Sequence, residues 1–171
     1  SAPDNIVYRN GAKEGDILCL SGDIGGAYMG LQILEREKEV FKVDPNMQPQ
    51  LDKYSYIVGR QLRPKARMDV IHELRDLGIL PTSMIDISDG LASEIFHLCK
   101  QSQKGACIYE DKLPIEKQTF ETAAEFSMDP NTAALNGGED YELLFTIDQK
   151  DFEKMKNHDD ITTIGYMHAP D

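Results

Sequence analysis

The sequence lacks a hydrophobic run long enough to cross a membrane, and it lacks the pattern of a secretory signal. Its apolar stretches are far shorter than the roughly 20 residues that a membrane-spanning helix needs. The chain does not open with a basic segment followed by an apolar one, which is the arrangement of an export signal. We therefore expect neither a membrane partner nor secretion.

Cysteine and positive charge are also scarce. Cys19, Cys99 and Cys107 are far apart and in no metal-ligand spacing, which is typical of buried thiols in a reducing compartment and predicts a cytoplasmic protein. Eighteen Lys and Arg stand against 30 Asp and Glu, for a formal net charge of −12. Non-specific nucleic-acid binding is disfavoured, because its affinity comes from neutralising phosphates with basic residues. A small phosphorylated ligand remains compatible, because carboxylates can hold Mg²⁺ and the metal can hold the phosphate.

The 171 residues are enough for one ordinary domain with its own core. Residues 1–5 are small and polar and predict a loose tail. Hydrophobic patterns predict short strands over 17–21, 83–88, 106–110, 141–147 and 162–167. Helices are predicted between them, over 27–40, 50–62, 69–77, 90–104, 116–126, 132–136 and 148–156. The irregular alternation favours an α+β or α/β layered sandwich with helices packed on a sheet.

The sharpest local feature is Asp86-Ile87-Ser88-Asp89-Gly90, between a predicted strand and a predicted helix. Alternate side chains share one face of a strand, so Asp86 and Ser88 point the same way, and Asp89 follows at the turn. Two carboxylates and a hydroxyl beside a helix N-terminus suit Mg²⁺ that bridges to phosphate oxygens. A structural alternative is that Asp89 caps the helix and Ser88 bonds the turn, which leaves only Asp86 unexplained.

A second acidic motif, Asn136-Gly-Gly-Glu-Asp140, directly precedes the clearest predicted strand. Its two glycines allow close backbone approach and positive φ. Glu139, Asp140 and Glu142 then bring three acids together within a few residues. The motif is either part of a ligand site or a Gly-Gly turn with solvated acids.

Two further stretches carry weaker signals. The glycine-rich loop 22–30 joins a strand to a helix, as phosphate-binding loops do. It matches neither a Walker loop nor a dinucleotide fingerprint, so tight packing is the favoured interpretation.

Arg60, Arg63 and Arg67 form the main basic cluster. Arginines can bind phosphate bidentately, although pairing with the surplus carboxylates is the commoner outcome.

Together these segments resemble the C-terminal domain of the thiamine-monophosphate kinase family, within the superfamily of aminoimidazole ribonucleotide (AIR) synthetase. The resemblance extends from about residue 6 to 167, and its last two motifs are specific to this kinase within the superfamily. Four stretches carry it in the same order: Asn10-Gly-Ala-Lys-Glu-Gly-Asp16 leading to Ser21-Gly-Asp-Ile-Gly25, Arg60-Gln-Leu-Arg63-Pro-Lys-Ala-Arg67, Met84-Ile-Asp-Ile-Ser-Asp-Gly-Leu91, and Gly137-Gly-Glu-Asp-Tyr-Glu-Leu143.

The resemblance implies an α+β fold over residues 6–171, a layered α/β sandwich of the AIR synthase C-terminal-domain type with helices on a mixed sheet. It implies Mg²⁺-dependent phosphoryl transfer from ATP to thiamine monophosphate, giving thiamine diphosphate. Asp86 and Asp89 are then expected to bind Mg²⁺ and Ser88 to contact the ATP phosphates. Glu139 is the expected substrate-binding acid, with its neighbour Asp140 as the alternative.

Members of that family have two domains, and the resemblance covers only the second. The first carries further acidic metal ligands, much of the nucleotide site and the dimer contact. The chain is therefore expected to be an inactive fragment of a homodimeric enzyme. Another activity of the superfamily, such as a cyclo-ligase or a selenophosphate synthetase, is disfavoured by the acidic Asp-Ile-Ser-Asp-Gly-Leu motif. A non-catalytic nucleotide-binding module is disfavoured because Asp86, Ser88, Asp89 and Glu139 occur together.

Overall fold

Five strands form one sheet in the computed structural model, which describes residues 6–170. The strand order is β2-β4-β1-β5-β3, and all four pairings within these residues are antiparallel. The strands are Ile17–Ser21 (β1), Ser83–Asp86 (β2), Gly105–Ile108 (β3), Leu143–Ile147 (β4) and Ile161–His168 (β5).

The sheet confirms the α+β class, but the prediction that it would be mixed is wrong. β4 and β5 both run antiparallel to β1, on its two sides. Every strand of the sheet therefore runs antiparallel to its neighbours. The loose tail predicted for residues 1–5 lies outside the described residues.

Seven α-helices accompany the sheet in this part of the chain. They are Gly26–Val43 (α1), Ser55–Leu62 (α2), Met68–Asp76 (α3), Leu91–Ser102 (α4), Lys117–Glu125 (α5), Pro130–Asn136 (α6) and Phe152–Met155 (α7). None of the helices within residues 6–170 combines the length and the apolar character needed to cross a membrane.

Both faces of the sheet are buried. In β1, Leu18 and Leu20 belong to one hydrophobic cluster, to which α4 contributes, whereas Cys19 between them belongs to another, to which α3 contributes. In β4, Leu144 faces the first cluster and Phe145 the second. This alternation follows the two-residue period of a strand and explains why the two central strands are apolar along almost their whole length.

A third cluster joins the helices near the start of α1. Met29 and Ile33 of α1 pack with Ile57 and Val58 of α2. Among residues 6–170 the three cysteines are free thiols, of which Cys19 alone is fully buried. Burial raises the pKa of the Cys19 thiol to about 12. The expectation of buried thiols therefore holds for Cys19, whereas Cys99 and Cys107 are half-buried.

Candidate active site

The two acidic motifs of the sequence lie side by side, just beyond the paired ends of β2 and β4. Three backbone hydrogen bonds join them. Ile87 donates to the carbonyl of Glu142 at 2.9 Å, Tyr141 donates to the carbonyl of Ile87 at 2.8 Å, and Glu139 donates to the carbonyl of Ser88 at 2.7 Å. Segments separated by about 50 residues therefore form one surface. The predicted strands extended over this region, but the ladder ends earlier because the backbone turns here.

The turn over residues 138–141 is tight and strained. Glu139 and Tyr141 have φ of 66° and 54°, in the left-handed region that costs a side-chain-bearing residue about 1–2 kcal/mol. A Cβ on Gly138 would lie 2.5 Å from the carbonyl oxygen of Ser88, so only glycine fits there. Paired unfavourable dihedrals of this kind are found most often at functional sites.

Three carboxylates of this surface face solvent. Asp86, Asp89 and Glu139 are exposed, and Ser88 between them is half-buried. Glu139 accepts a hydrogen bond from the Gln61 side chain at 3.2 Å. Within residues 6–170, neither aspartate side chain has a hydrogen bond or an ion pair, so their oxygens are available to a ligand.

The structural alternative for Asp89 is wrong. Helix α4 begins at Leu91, its N-cap is Gly90, and no side chain caps it. Gly90 has φ of 110°, and a Cβ on it would lie 3.1 Å from the backbone of Asn136. This glycine conformation separates Asp89 from the first-turn N–H groups, which a capping side chain would have to reach. Helix capping therefore does not explain this carboxylate.

A buried acid lies beneath the same turn. Glu94, in the first turn of α4, is only 4% exposed. Burial raises the pKa of its carboxyl, and a hydrogen bond from the Ser88 backbone opposes that rise. Nothing in the sequence indicates this contact, because a lone acid in the first turn of an amphipathic helix is ordinarily expected in solvent.

The donor chemistry of Asp86 and Asp89 suits a magnesium ion that is bound together with a substrate better than an all-protein metal site. The described residues, 6–170, contain no group of three or more His, Cys, Asp and Glu that could hold a metal. Mg²⁺, however, is usually bound through one or two carboxylates together with substrate phosphates and water. Two unpaired, exposed carboxylates on one turn match that donor set.

Asp140 behaves differently from its neighbour Glu139. Its carboxylate is fully buried and accepts hydrogen bonds from the backbone N–H groups of Gly25 at 3.0 Å and Ala27 at 3.4 Å, at the start of α1. Burial raises the pKa of Asp140 to about 6, against these hydrogen bonds and the nearby Arg60. The N–H groups that a phosphate-binding loop would offer are thus bonded to an internal carboxylate.

The basic cluster is largely paired inside the domain. Arg60 and Arg67 approach the carboxylate of Glu142 at 3.2 and 2.7 Å, and Ser21 donates to it at 3.1 Å. Burial raises the pKa of Glu142, and the two arginines oppose that rise. Arg63, in contrast, is exposed. Pairing with the surplus carboxylates, the commoner outcome, is therefore what two of the three arginines show.

A cavity of about 310 Å³ opens next to Asp86. Its lining combines apolar Met68, Ile71 and Leu143 with basic Lys65. An apolar lining with a few polar groups is typical of small-molecule sites. Sequence inspection missed this cavity, because its walls come from three segments that only the fold brings together.

The antiparallel sheet with its helices and paired acidic turns defines the class of domain. The family model described as "AIR synthase related protein, C-terminal domain" matches residues 13–158. The chain belongs to this family.

The particular relatives within that class are thiamine-monophosphate kinases. The chain is 34% identical over 169 residues to that of Buchnera aphidicola subsp. Schizaphis graminum, which covers 95% of this chain and 48% of the relative. It is 38% identical over 144 residues to that of Escherichia coli K12, covering 82% and 39%. A solved structure, AaThiL complexed with AMPPCP and TMP, matches with a TM-score of 0.80 and 32% identity over 96% of this chain and 48% of the other.

These matches confirm the resemblance found in the motifs. The chain spans about half the length, or less, of the curated relatives it matches.

Proposed function

We propose that this chain is the C-terminal half of a kinase that transfers the γ-phosphoryl group of ATP to thiamine monophosphate, giving thiamine diphosphate and ADP. The names of its relatives support the reaction, and the AaThiL complex with AMPPCP and TMP supports the pair of substrates. The observation that carries the proposal is the joint placement of exposed Asp86, Asp89 and Glu139 around Ser88.

The residues of the first motif would bind the phosphate end of the nucleotide. Asp86 and Asp89 would hold Mg²⁺, and a bound magnesium ion would neutralise the charge that develops between the phosphates. Ser88 would donate a hydrogen bond to a phosphate oxygen. Phosphoryl transfer needs in-line positioning and charge neutralisation rather than covalent help from the protein.

Glu139 would contact the acceptor. Its carboxylate is exposed on the same surface, next to the phosphate-binding residues. Asp140 is a poor candidate for this role, because its buried oxygens are bonded to the start of α1. The burial of Asp140 therefore favours Glu139 as the substrate-binding acid.

The remaining ligands would come from a preceding half of a longer protein. The share of the relatives that this chain covers supports that proposal. The enzyme would be cytoplasmic and homodimeric through that half, and the present chain alone would be inactive.

The test is thiamine diphosphate formation with Mg·ATP, measured for the full-length protein and for the chain alone. We expect product only from the full-length protein, and a loss of about a hundredfold or more in kcat for Asp86→Asn, the scale for one well-placed electrostatic group. Asp44→Asn is the matched control. Asp44 follows the far end of α1, about 27 Å along an 18-residue helix from its start. Near-normal turnover of Asp86→Asn at saturating Mg·ATP would contradict the metal-ligand assignment.

A further inference from the structure

We infer that Asp140 is a positioning residue: it anchors the turn over residues 138–141 to the start of α1 and thereby holds Glu139 in place for the acceptor. The inference rests on the proposed role of Glu139. It concerns a side chain that itself touches no substrate.

The anchor joins distant parts of the chain. The Asp140 carboxylate accepts from Gly25 at 3.0 Å and from Ala27 at 3.4 Å. Its other neighbour is the guanidinium of Arg60, at 3.7 Å. Because the carboxylate is completely shielded from solvent, water cannot replace these partners, and hydrogen bonds to a charged group are the stronger kind.

The turn needs such an anchor because its own backbone is unfavourable. Glu139 and Tyr141, on either side of Asp140, both have left-handed φ. Conformations of this kind persist only where the surrounding structure imposes them. On one side, the backbone of Ser88 accepts from Glu139. On the other side, the side chain of Asp140 is the group that fixes the turn to α1.

The anchor determines where the side chain of Glu139 points. If the Asp140 anchor is lost, the turn can relax toward ordinary φ values, and the Glu139 side chain then rotates away from its present position. The other hydrogen bonds of the turn do not tie it to α1. Glu139 and Tyr141 donate to the backbone of Ser88 and Ile87, and the exposed Gln61 side chain reaches the Glu139 carboxylate at 3.2 Å.

The test is a double-mutant cycle in the full-length protein, with KM for thiamine monophosphate, KM for ATP and kcat as readouts. We expect Glu139→Gln to raise the KM for thiamine monophosphate tenfold or more. Asp140→Asn should raise the same KM by about the same factor and leave the KM for ATP within about twofold. The double variant should be no worse than Glu139→Gln, because Asp140 acts through Glu139.

Asp148→Asn is the matched control. Asp148 also accepts from a backbone N–H at the start of a helical turn, that of Lys150 at 2.9 Å, but it follows the far end of β4 and, among the described residues, has no hydrogen bond or ion pair with the 138–141 turn. Its loss should leave all three kinetic constants unchanged.

Each outcome decides between the two proposals. If Glu139→Gln leaves the KM for thiamine monophosphate unchanged, the proposed role of Glu139 fails, and the positioning role fails with it. If Glu139→Gln raises that KM but Asp140→Asn only lowers the melting temperature, Asp140 is purely structural and the role of Glu139 stands. The same conclusion follows if the increases in KM of the two single variants multiply in the double variant.

Should Asp140→Asn unfold below the assay temperature, Asp140→Glu carries the same test, because the added methylene displaces the anchor while keeping its charge.

Discussion

The guanidinium of Arg67 lies 2.7 Å from the carboxylate of Glu142, and the two residues are 75 positions apart in the sequence. The pair ties the loop before α3 to the residue that precedes β4. Arg60 approaches the same carboxylate from α2 at 3.2 Å. Ser21 at the end of β1 donates to it at 3.1 Å. One buried acid therefore connects four segments at the border of the proposed site and of the cavity beside it.

Removing that acid should destabilise the domain. Glu142→Gln keeps the shape of the side chain but leaves Arg60 without its closest carboxylate, at 3.2 Å, so we expect the free energy of unfolding to fall by about 2–4 kcal/mol. Glu121→Gln is the control, because its ion pair with Lys117 is exposed and such pairs contribute at most about 1 kcal/mol. Urea unfolding of the chain measures both. Equal losses for the two variants would mean that the buried network contributes little.

Loss of Asp89 should not affect stability. Gly90 is the N-cap of α4 and no side chain caps this helix, so Asp89→Ala should leave the free energy of unfolding within about 0.5 kcal/mol of the parent. Asp129→Ala is the comparison, since Asp129 caps α6 through the Asn131 N–H at 2.9 Å, and its loss should cost about 1 kcal/mol. Thermal melting checks the prediction, and a drop for Asp89→Ala as large as that for Asp129→Ala would restore a structural role for the Asp89 carboxylate.

Replacing Gly90 and Gly59 with alanine should change the stability of the chain in opposite directions. Gly90→Ala places a Cβ 3.1 Å from the backbone of Asn136 at φ of 110°, and we expect a loss of at least about 1–2 kcal/mol. Gly59 lies within α2 and has nothing within 4 Å of an added Cβ. Gly59→Ala should therefore stabilise the chain by about 0.5–1 kcal/mol, because alanine is the better helix former. Chemical denaturation of both variants gives the two signs directly.

The contribution of Asp140 to stability should depend on pH. Its pKa is about 6 in the folded chain, against an ordinary value of 3.8. The folded state therefore binds the proton of the Asp140 carboxyl more tightly than the unfolded state does. The stability that this proton contributes is full below about pH 4 and is lost as the pH rises through about 6. Asp140→Asn removes this titration. The stability of the parent relative to Asp140→Asn, taken as the difference between their free energies of unfolding, should thus be greater at pH 4 than at pH 7, by on the order of 2–3 kcal/mol.

The measurement is urea unfolding of both proteins across that pH range. Subtracting the variant removes the contributions of the other acids that titrate in the same interval. A difference that stays constant from pH 4 to 7 would show that the Asp140 carboxyl keeps its ordinary pKa.

Short-range patterns predicted much of the fold and singled out the residues of the proposed site. The motif Asp-x-Ser-Asp-Gly predicted Asp86 and Ser88 on one face of a strand and Asp89 at the following turn, and the family resemblance linked them to Glu139. The directions of the strands were not predictable in this way, because they depend on which strands become neighbours. The sequence also could not show which of Glu139 and Asp140 faces solvent, since the answer depends on the backbone of Gly25, 115 positions away.

The position of β1 has a consequence for how the chain folds during synthesis. This strand lies at the centre of the sheet, yet its two neighbours, β4 and β5, are the last strands to be made. Ser21 at the end of β1 and its partner Glu142 are 121 residues apart, which corresponds to roughly 6–24 s at 5–20 residues per second on the ribosome. During that interval both edges of an apolar strand are unpaired. A nascent chain of this domain is therefore exposed to aggregation until nearly its whole length has been translated, and we expect its yield of soluble protein to depend on chaperones that shield β1.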